Sequence, residues 1–189
     1  RQLEVTRASL HAGHFKRREA KIALAELMYF RGLSATDREK IDRADEHLRS
    51  ARMSKQKDDL RKAYDLAKSA AKSYREIFAA PNQSRLAEAL SDLSQYGKNL
   101  GEYDFAEECL IEAVQIRKTL AQGQPHPDYA MALDQLGKLR REVGNYATSL
   151  EATSKAAAML EETHGLESLK CLKVYGNLAE VHQHLKNFN

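Results

Sequence analysis

The side chains able to do chemistry in this 189-residue chain are dispersed rather than gathered. His11 and His14 stand three apart, a spacing that puts two imidazoles on one helical face as a possible metal pair. No carboxylate or thiol lies close enough to complete a ligand set, so the pair reads as helix surface. His182 and His184 are two apart and point to different faces. Cys109 and Cys171 lie far apart in segments that read as helix, which predicts buried, unpaired thiols and fits a reducing compartment. Ser94 sits where a small residue is needed for packing and is a poor nucleophile. The chain has no glycine-rich phosphate loop, no nucleophile elbow and no paired His–carboxylate motif. No catalytic residue, metal or cofactor is therefore expected, and the segment reads as non-enzymatic.

Composition sets further bounds. With 42% hydrophobic and 30% charged residues the chain can build a core and is too apolar for disorder. No apolar run approaches the roughly 20 residues of a membrane span, and no signal peptide opens the chain. It begins at Arg1 and is expected to be a piece of something longer. The net charge of +3 is too small to imply nucleic acid, but it is unevenly spread. Residues 1–84 carry 19 Lys+Arg against 12 Asp+Glu, and residues 85–189 carry 11 against 15. The basic clusters Lys16, Arg17, Arg18 and Lys21, and Lys55, Lys57, Arg61 and Lys62, could attract an acidic partner. Aromatic residues are not interleaved with them as base stacking requires, so RNA is not expected.

The elements that position these groups come from an internal repeat. The stretch Ala87–Ala113 realigns with Ala130–Ala156 at an offset of 43, and with the stretch from Leu172 at a further 42. Leu90, Leu133 and Tyr175 coincide, as do Leu93, Leu136 and Leu178, followed by the small residues Ser94, Gly137 and Ala179. Gly101 matches Gly144, and Tyr103, Tyr146 and Phe188 form an aromatic set two residues past the turn glycine. Ala106 meets Ser149, and Ala113 meets Ala156. Shifted back by 43, the register lands faintly on Ala51, Ala63 and Ala70, and Leu10–Phe15 resembles a turn with Gly13 in it. Gly32–Asp37 joins the first unit to the second.

Each unit holds two amphipathic helices. Leu90, Leu93, Tyr96 and Leu100 make one stripe, and Phe105, Cys109, Ala113 and Ile116 make the next. Gly101 and Gly144 stand where the chain reverses, Ser94, Gly137, Ala106 and Ala113 where helices cross, and the aromatic after each glycine is expected to wedge into the crossing. Ala80-Pro81-Asn82, Gln124–Asp128 and His164-Gly165 break the helices between units, with Asp128 expected as an N-cap. The spacing of Ile41, Ala44, Leu48 and Ala51 is helical, while Ser54–Asp59 holds no apolar residue, so one or two helices fit residues 33–57. Leu172, Val174, Tyr175, Leu178 and Leu185 are expected to expose apolar surface unless another repeat or a partner covers them.

The Leu-x-x-Leu-small pattern, the Gly-x-aromatic turn and the two alanines seven apart resemble the tetratricopeptide repeat family. The period exceeds that family's simple repeat of about 34 residues. It is similar to the extended repeat of kinesin light chains and nephrocystin-like proteins, where His-Pro-Asp often precedes a repeat, as His126-Pro127-Asp128 does here. The resemblance is strong over roughly 85–189, which gives 1–83 as degenerate helical pairs and 84–189 as well-formed repeats with the last one truncated. It implies an all-α, right-handed superhelical solenoid of antiparallel helix pairs.

The resemblance also implies that partners contact the concave face built from first helices. That face would present Ser91, Asp92, Gln95, Lys98, Asn99, Asp134, Gln135, Lys138, Arg141, Asn177 and Glu180, mostly polar groups suited to an extended peptide or a helix. In kinesin light chains an asparagine before the second leucine grips the backbone of cargo peptides. Asn177 matches it, whereas Gln135 and Asp92 depart from it; glutamine keeps both bonding roles and aspartate only accepts. The Lys and Asn set of the carboxylate clamp is not found. The expectation is a cytoplasmic scaffold that binds other proteins within a larger complex, without nucleic acid or membrane. Two other readings are a structural spacer of a cytoskeletal or ciliary assembly, and a sensor domain attached to an enzyme.

Overall fold

A computed structural model describes residues 16–17, 20–56, 59–78 and 83–187. They form residues 20–32 (α1), Ala35–Gln56 (α2), Leu60–Ile77 (α3), Ser84–Asn99 (α4), Tyr103–Leu120 (α5), Pro127–Glu142 (α6), Tyr146–His164 (α7) and Leu169–Asn187 (α8), with no strand among the described residues. The fold is all-α. Two compact units result, Ala23–Leu120 and a second that includes Ala121–Asn189.

In the first unit α2 packs on α3 and α4 on α5, with α3 joined to α4. Within a pair the helices run antiparallel: Asp45 and His47 of α2 bond to Tyr74 and Ser69 of α3. First helices run parallel to each other, so Arg52 of α2 reaches Glu88 and Asp92 of α4. Alanines let the axes approach: Ala44, Ala51, Ala63, Ala67, Ala70 and Ala71 are all buried. Larger side chains fill what remains, with Ile41, Tyr74, Leu86, Leu90 and Tyr96 almost fully enclosed. Burying one such leucine stabilises the fold by about 1.5–3 kcal/mol. The described residues of 33–57 hold a single helix, Ala35–Gln56, which starts after Ser34 accepts a hydrogen bond from the Asp37 backbone at 3.0 Å.

The second unit repeats this plan with α6 on α7 and α7 on α8. The turns after α4 and α6 are the same device. Glu102 and Asn145 donate their backbone N–H groups to Gly97 and Arg140 at 2.9 and 2.7 Å, while Gly101 and Gly144 donate to Lys98 and Arg141 at 3.0 Å each. Both glycines sit at positive φ, 82° and 84°, which closes the helix end and turns the chain back at no steric cost.

Four details depart from the sequence expectations. His126, not Asp128, caps α6: its imidazole accepts from the Asp128 backbone N–H at 3.1 Å, Pro127 takes the first helical position, and Asp128 supplies charge to the first turn. Tyr103 does not wedge into its crossing and is 42% exposed; Phe105, two residues on, packs against Tyr64 at a centroid distance of 5.8 Å. Val174 is buried on α8, a helix that packs on α7, whereas Leu172 is exposed. Tyr175 is half-buried and ties α8 to Glu161 of α7 at 2.8 Å. Leu10–Phe15, Ala80-Pro81-Asn82 and Phe188 lie outside the described residues.

Candidate functional site

The first-helix face of the Ala23–Leu120 unit is built from α2 and α4. Ser91 is turned inward on its own helix, its hydroxyl donating to the Ala87 carbonyl at 3.0 Å. Asp92 accepts from the Arg52 guanidinium at 2.8 Å, and Glu88 from the same group at 2.5 Å. Gln95 donates to Asn99 at 3.1 Å one turn along, and Lys98 is half-buried. Arg52 escaped the sequence reading, although carrying the 43-residue register back from Gln95 lands on it. Burial alone would lower the Arg52 pKa; hydrogen bonds and attraction from Glu88 and Asp92 outweigh it, so the net shift is upward. The guanidinium is thus held as a bridge between two first helices rather than offered to solvent alone.

In the second unit α6 and α8 supply the equivalent face. Asp134 is only 6% exposed, and both of its carboxylate oxygens are engaged. One accepts from the Asn177 side-chain amide at 2.7 Å, and the other pairs with Lys138 at 2.7 Å. Arg141 of α6 pairs with Glu180 of α8. Gln135 is exposed one turn after Met131, which is 44% exposed and is the apolar group that sequence reasoning left off the face. Its i, i+4 relation to Gln135 was the available signal. Asp134, Lys138 and Asn177 come together as one cluster, Arg141 and Glu180 as a second, and Gln135 stands beside them.

The other candidates resolve differently. His11, His14, Arg18 and Lys57 lie outside the described residues. Arg61 engages Glu102 at 3.3 Å and stands over the Tyr64 ring, so that cation ties α3 to the turn before α5. His184 stacks on Tyr146 of α7 at 5.0 Å, while His182 is exposed. Cys109 and Cys171 are free and buried. Burial pushes the Cys109 thiol up to about 12 and raises that of Cys171, so neither is a poised nucleophile. Among the described residues no group of three His, Cys, Asp or Glu could hold a metal ion, and no helix is long and apolar enough to cross a membrane.

The paired helices, the glycine turns and the small crossing residues can now be set against known proteins. Residues 85–162 match the tetratricopeptide repeat family. The fold extends further than that match. Nearly identical TPR-like repeats from Podosopora anserina, described as a kinesin light chain, superpose with a TM-score of 0.67 at 16% identity, covering 96% of this chain and 86% of theirs. A point variant of the same repeats gives 0.69 at 16% identity, with the same coverage. BtubC (BKLC) from P. vanneervenii gives 0.64 at 17% identity, covering 89% of this chain and 66% of that one. At these identities the likeness is one of fold. No curated protein matches the sequence. The tetratricopeptide match begins at α4 and ends within α7, and α2, α3 and α8 lie outside it.

Proposed function

We propose that this chain is a protein–protein interaction scaffold that binds an extended segment or a helix of another protein on the first-helix faces of its repeats. Tetratricopeptide-like repeats generally mediate protein–protein interaction. The observation that carries the reading here is the surface on α6 and α8. On α6 exposed Gln135 lies one turn from exposed Met131 and from half-buried Lys138. Half-buried Asn177 of α8 bonds to Asp134, the residue before Gln135, so the face offers amides able to donate and accept, an apolar group and a cation. Such a set suits the polar backbone and one apolar side chain of an incoming peptide. On the Ala23–Leu120 unit we assign Ser91, Asp92, Gln95, Lys98 and Asn99 the same role, taken by itself. The solved kinesin light chain-like structures favour work in the cytoplasm on cytoskeletal complexes.

A second reading has its own support. Arg52, Asp92, Arg141 and Glu180 spend their charge between neighbouring helices, as expected of a spacer. Leu169 and Leu172, 82% and 56% exposed, offer apolar surface at its edge.

Selection of a phage-displayed random 12-residue peptide library on the immobilised chain separates the two. The scaffold reading expects enriched peptides whose affinity falls at least tenfold with Gln135→Ala/Asn177→Ala at unchanged helicity. Failure to enrich any peptide, or peptides indifferent to that pair, favours the spacer.

A further inference from the structure

Asn177 and Asp134 sit together on the proposed binding face yet differ in kind. Asp134 is 6% exposed, a burial that closes it to an incoming chain, whereas Asn177 is only half-buried. The 2.7 Å bond from the Asn177 nitrogen to Asp134 decides which way the amide points. A carboxylate accepts only, so it takes an N–H and repels the carbonyl oxygen. The reversed amide would set two oxygens against each other in a poorly solvated site. Lys138, 2.7 Å from the other oxygen of Asp134, holds the carboxylate from the far side. Asn177 is left with its carbonyl oxygen and one N–H, the two roles needed to pair with a peptide unit.

We propose that Asp134 is a positioning residue that orients the Asn177 amide for recognition of a peptide backbone and does not itself touch the ligand. This inference rests on the binding function proposed above. It divides the α6–α8 face into a hidden support, Asp134, and the groups that reach the surface, Asn177, Gln135 and Lys138. It also accounts for two residues one repeat apart: Asn177 stands at the position of Gln135, and Asp134 directly precedes Gln135 in the same turn.

A double-mutant cycle tests it, with peptides from the library selection as the probe. Asp134→Ala is expected to weaken them about tenfold. Asp134→Asn, which keeps an acceptor for Asn177, should stay within about threefold of wild type. Asp134→Ala/Asn177→Ala should bind no more weakly than Asn177→Ala alone, since a support has no effect once its client is gone. The side-chain amide resonances of Asn177 in a 1H–15N spectrum give a readout that needs no ligand: they should move strongly in Asp134→Ala and little in Asp134→Asn. Additive losses in the cycle, or amide resonances unmoved by Asp134→Ala, overturn the inference and leave the binding function standing. A library that yields no binder overturns both.

Discussion

Ser149 donates its hydroxyl to the backbone carbonyl of Gly137 at 2.7 Å, across the crossing of α6 and α7. The bond exists only because the two backbones touch there, and glycine is what lets them. A Cβ at residue 137 would collide with the Thr153 hydroxyl and press on the backbone at Ser149 and Thr153, 3.3 Å away. Gly137→Ala is therefore expected to destabilise the chain by about 1–3 kcal/mol even though alanine is the better helix former. Thr153 Oγ1 is buried without a hydrogen-bond partner among the described residues, so Thr153→Ala should cost little by itself. Placed together, Thr153→Ala should recover part of the Gly137→Ala loss. Urea unfolding of the two single variants and the double variant measures this; additive losses would sink the steric account.

His126 gives a second prediction, because its imidazole replaces the side-chain oxygen that usually caps a helix. It accepts from the Asp128 backbone N–H at 3.1 Å and is 7% exposed. Loss of an N-cap costs about 0.5–2 kcal/mol. His126→Ala should lower the melting temperature by several degrees, and His126→Asn, which can accept the same bond, should restore much of it. If Asp128→Ala proves the more damaging change, the cap has been misassigned.

How far the sequence disclosed this arrangement depends on what each residue answers to. Leu90, Leu93, Gly101, Gly137 and Gly144 were legible because backbone reversal and close approach admit few residue types, and two copies of the pattern stand side by side. Residues 23–78 were faint because alanines do the packing, and Ala63, Ala67 and Ala70 satisfy many periods at once. Tyr103 was expected to face inward along with Phe105 because both lie near the turn, and only the rotation of α5 about its axis decides which one faces Tyr64. The Asp134–Asn177 bond was not legible at all. It joins residues 43 apart on α6 and α8, which are brought side by side because α7 packs against both, and both side chains read as surface polar groups. The Arg52 bridge was hidden for the same reason.

That bridge makes a prediction about magnitude. Arg52 lies 2.8 Å from Asp92 and 2.5 Å from Glu88, but its side chain is 44% exposed. Solvent and salt screen such pairs, whose worth is about 0–1 kcal/mol each. Arg52→Ala should change the urea midpoint only slightly at low salt and leave no difference from wild type at about 1 M NaCl, where the screening length is about 3 Å. A loss above about 2 kcal/mol that persists in high salt would mean the guanidinium is structural in a way its exposure does not suggest.

Alkaline pH should act more strongly, through groups that burial keeps protonated. Burial raises Cys109 from its ordinary 9.0 to about 12, and Tyr64 and Tyr96 from 10.0 to about 12; Tyr74, also bonded to Asp45, moves in the same direction. In each case the folded value lies above the unfolded one. Between about pH 9 and 12 the unfolded chain has released protons that the folded chain still holds, so the unfolded state binds fewer and stability must fall as pH rises. The contribution is fully present below about pH 9 and is lost as the pH climbs through the folded values near 12. Urea midpoints at about pH 8, 9.5 and 11 should therefore decline in order, with Cys109 slow to react with a thiol reagent at about pH 8 in the native chain and fast in the unfolded one. The part of the tyrosine absorbance change owed to Tyr64, Tyr74 and Tyr96, taken as the difference from single Tyr→Phe variants at each, should coincide with unfolding rather than precede it. If that part appears while the far-ultraviolet helical signal is intact, these three side chains are open to water in the folded protein.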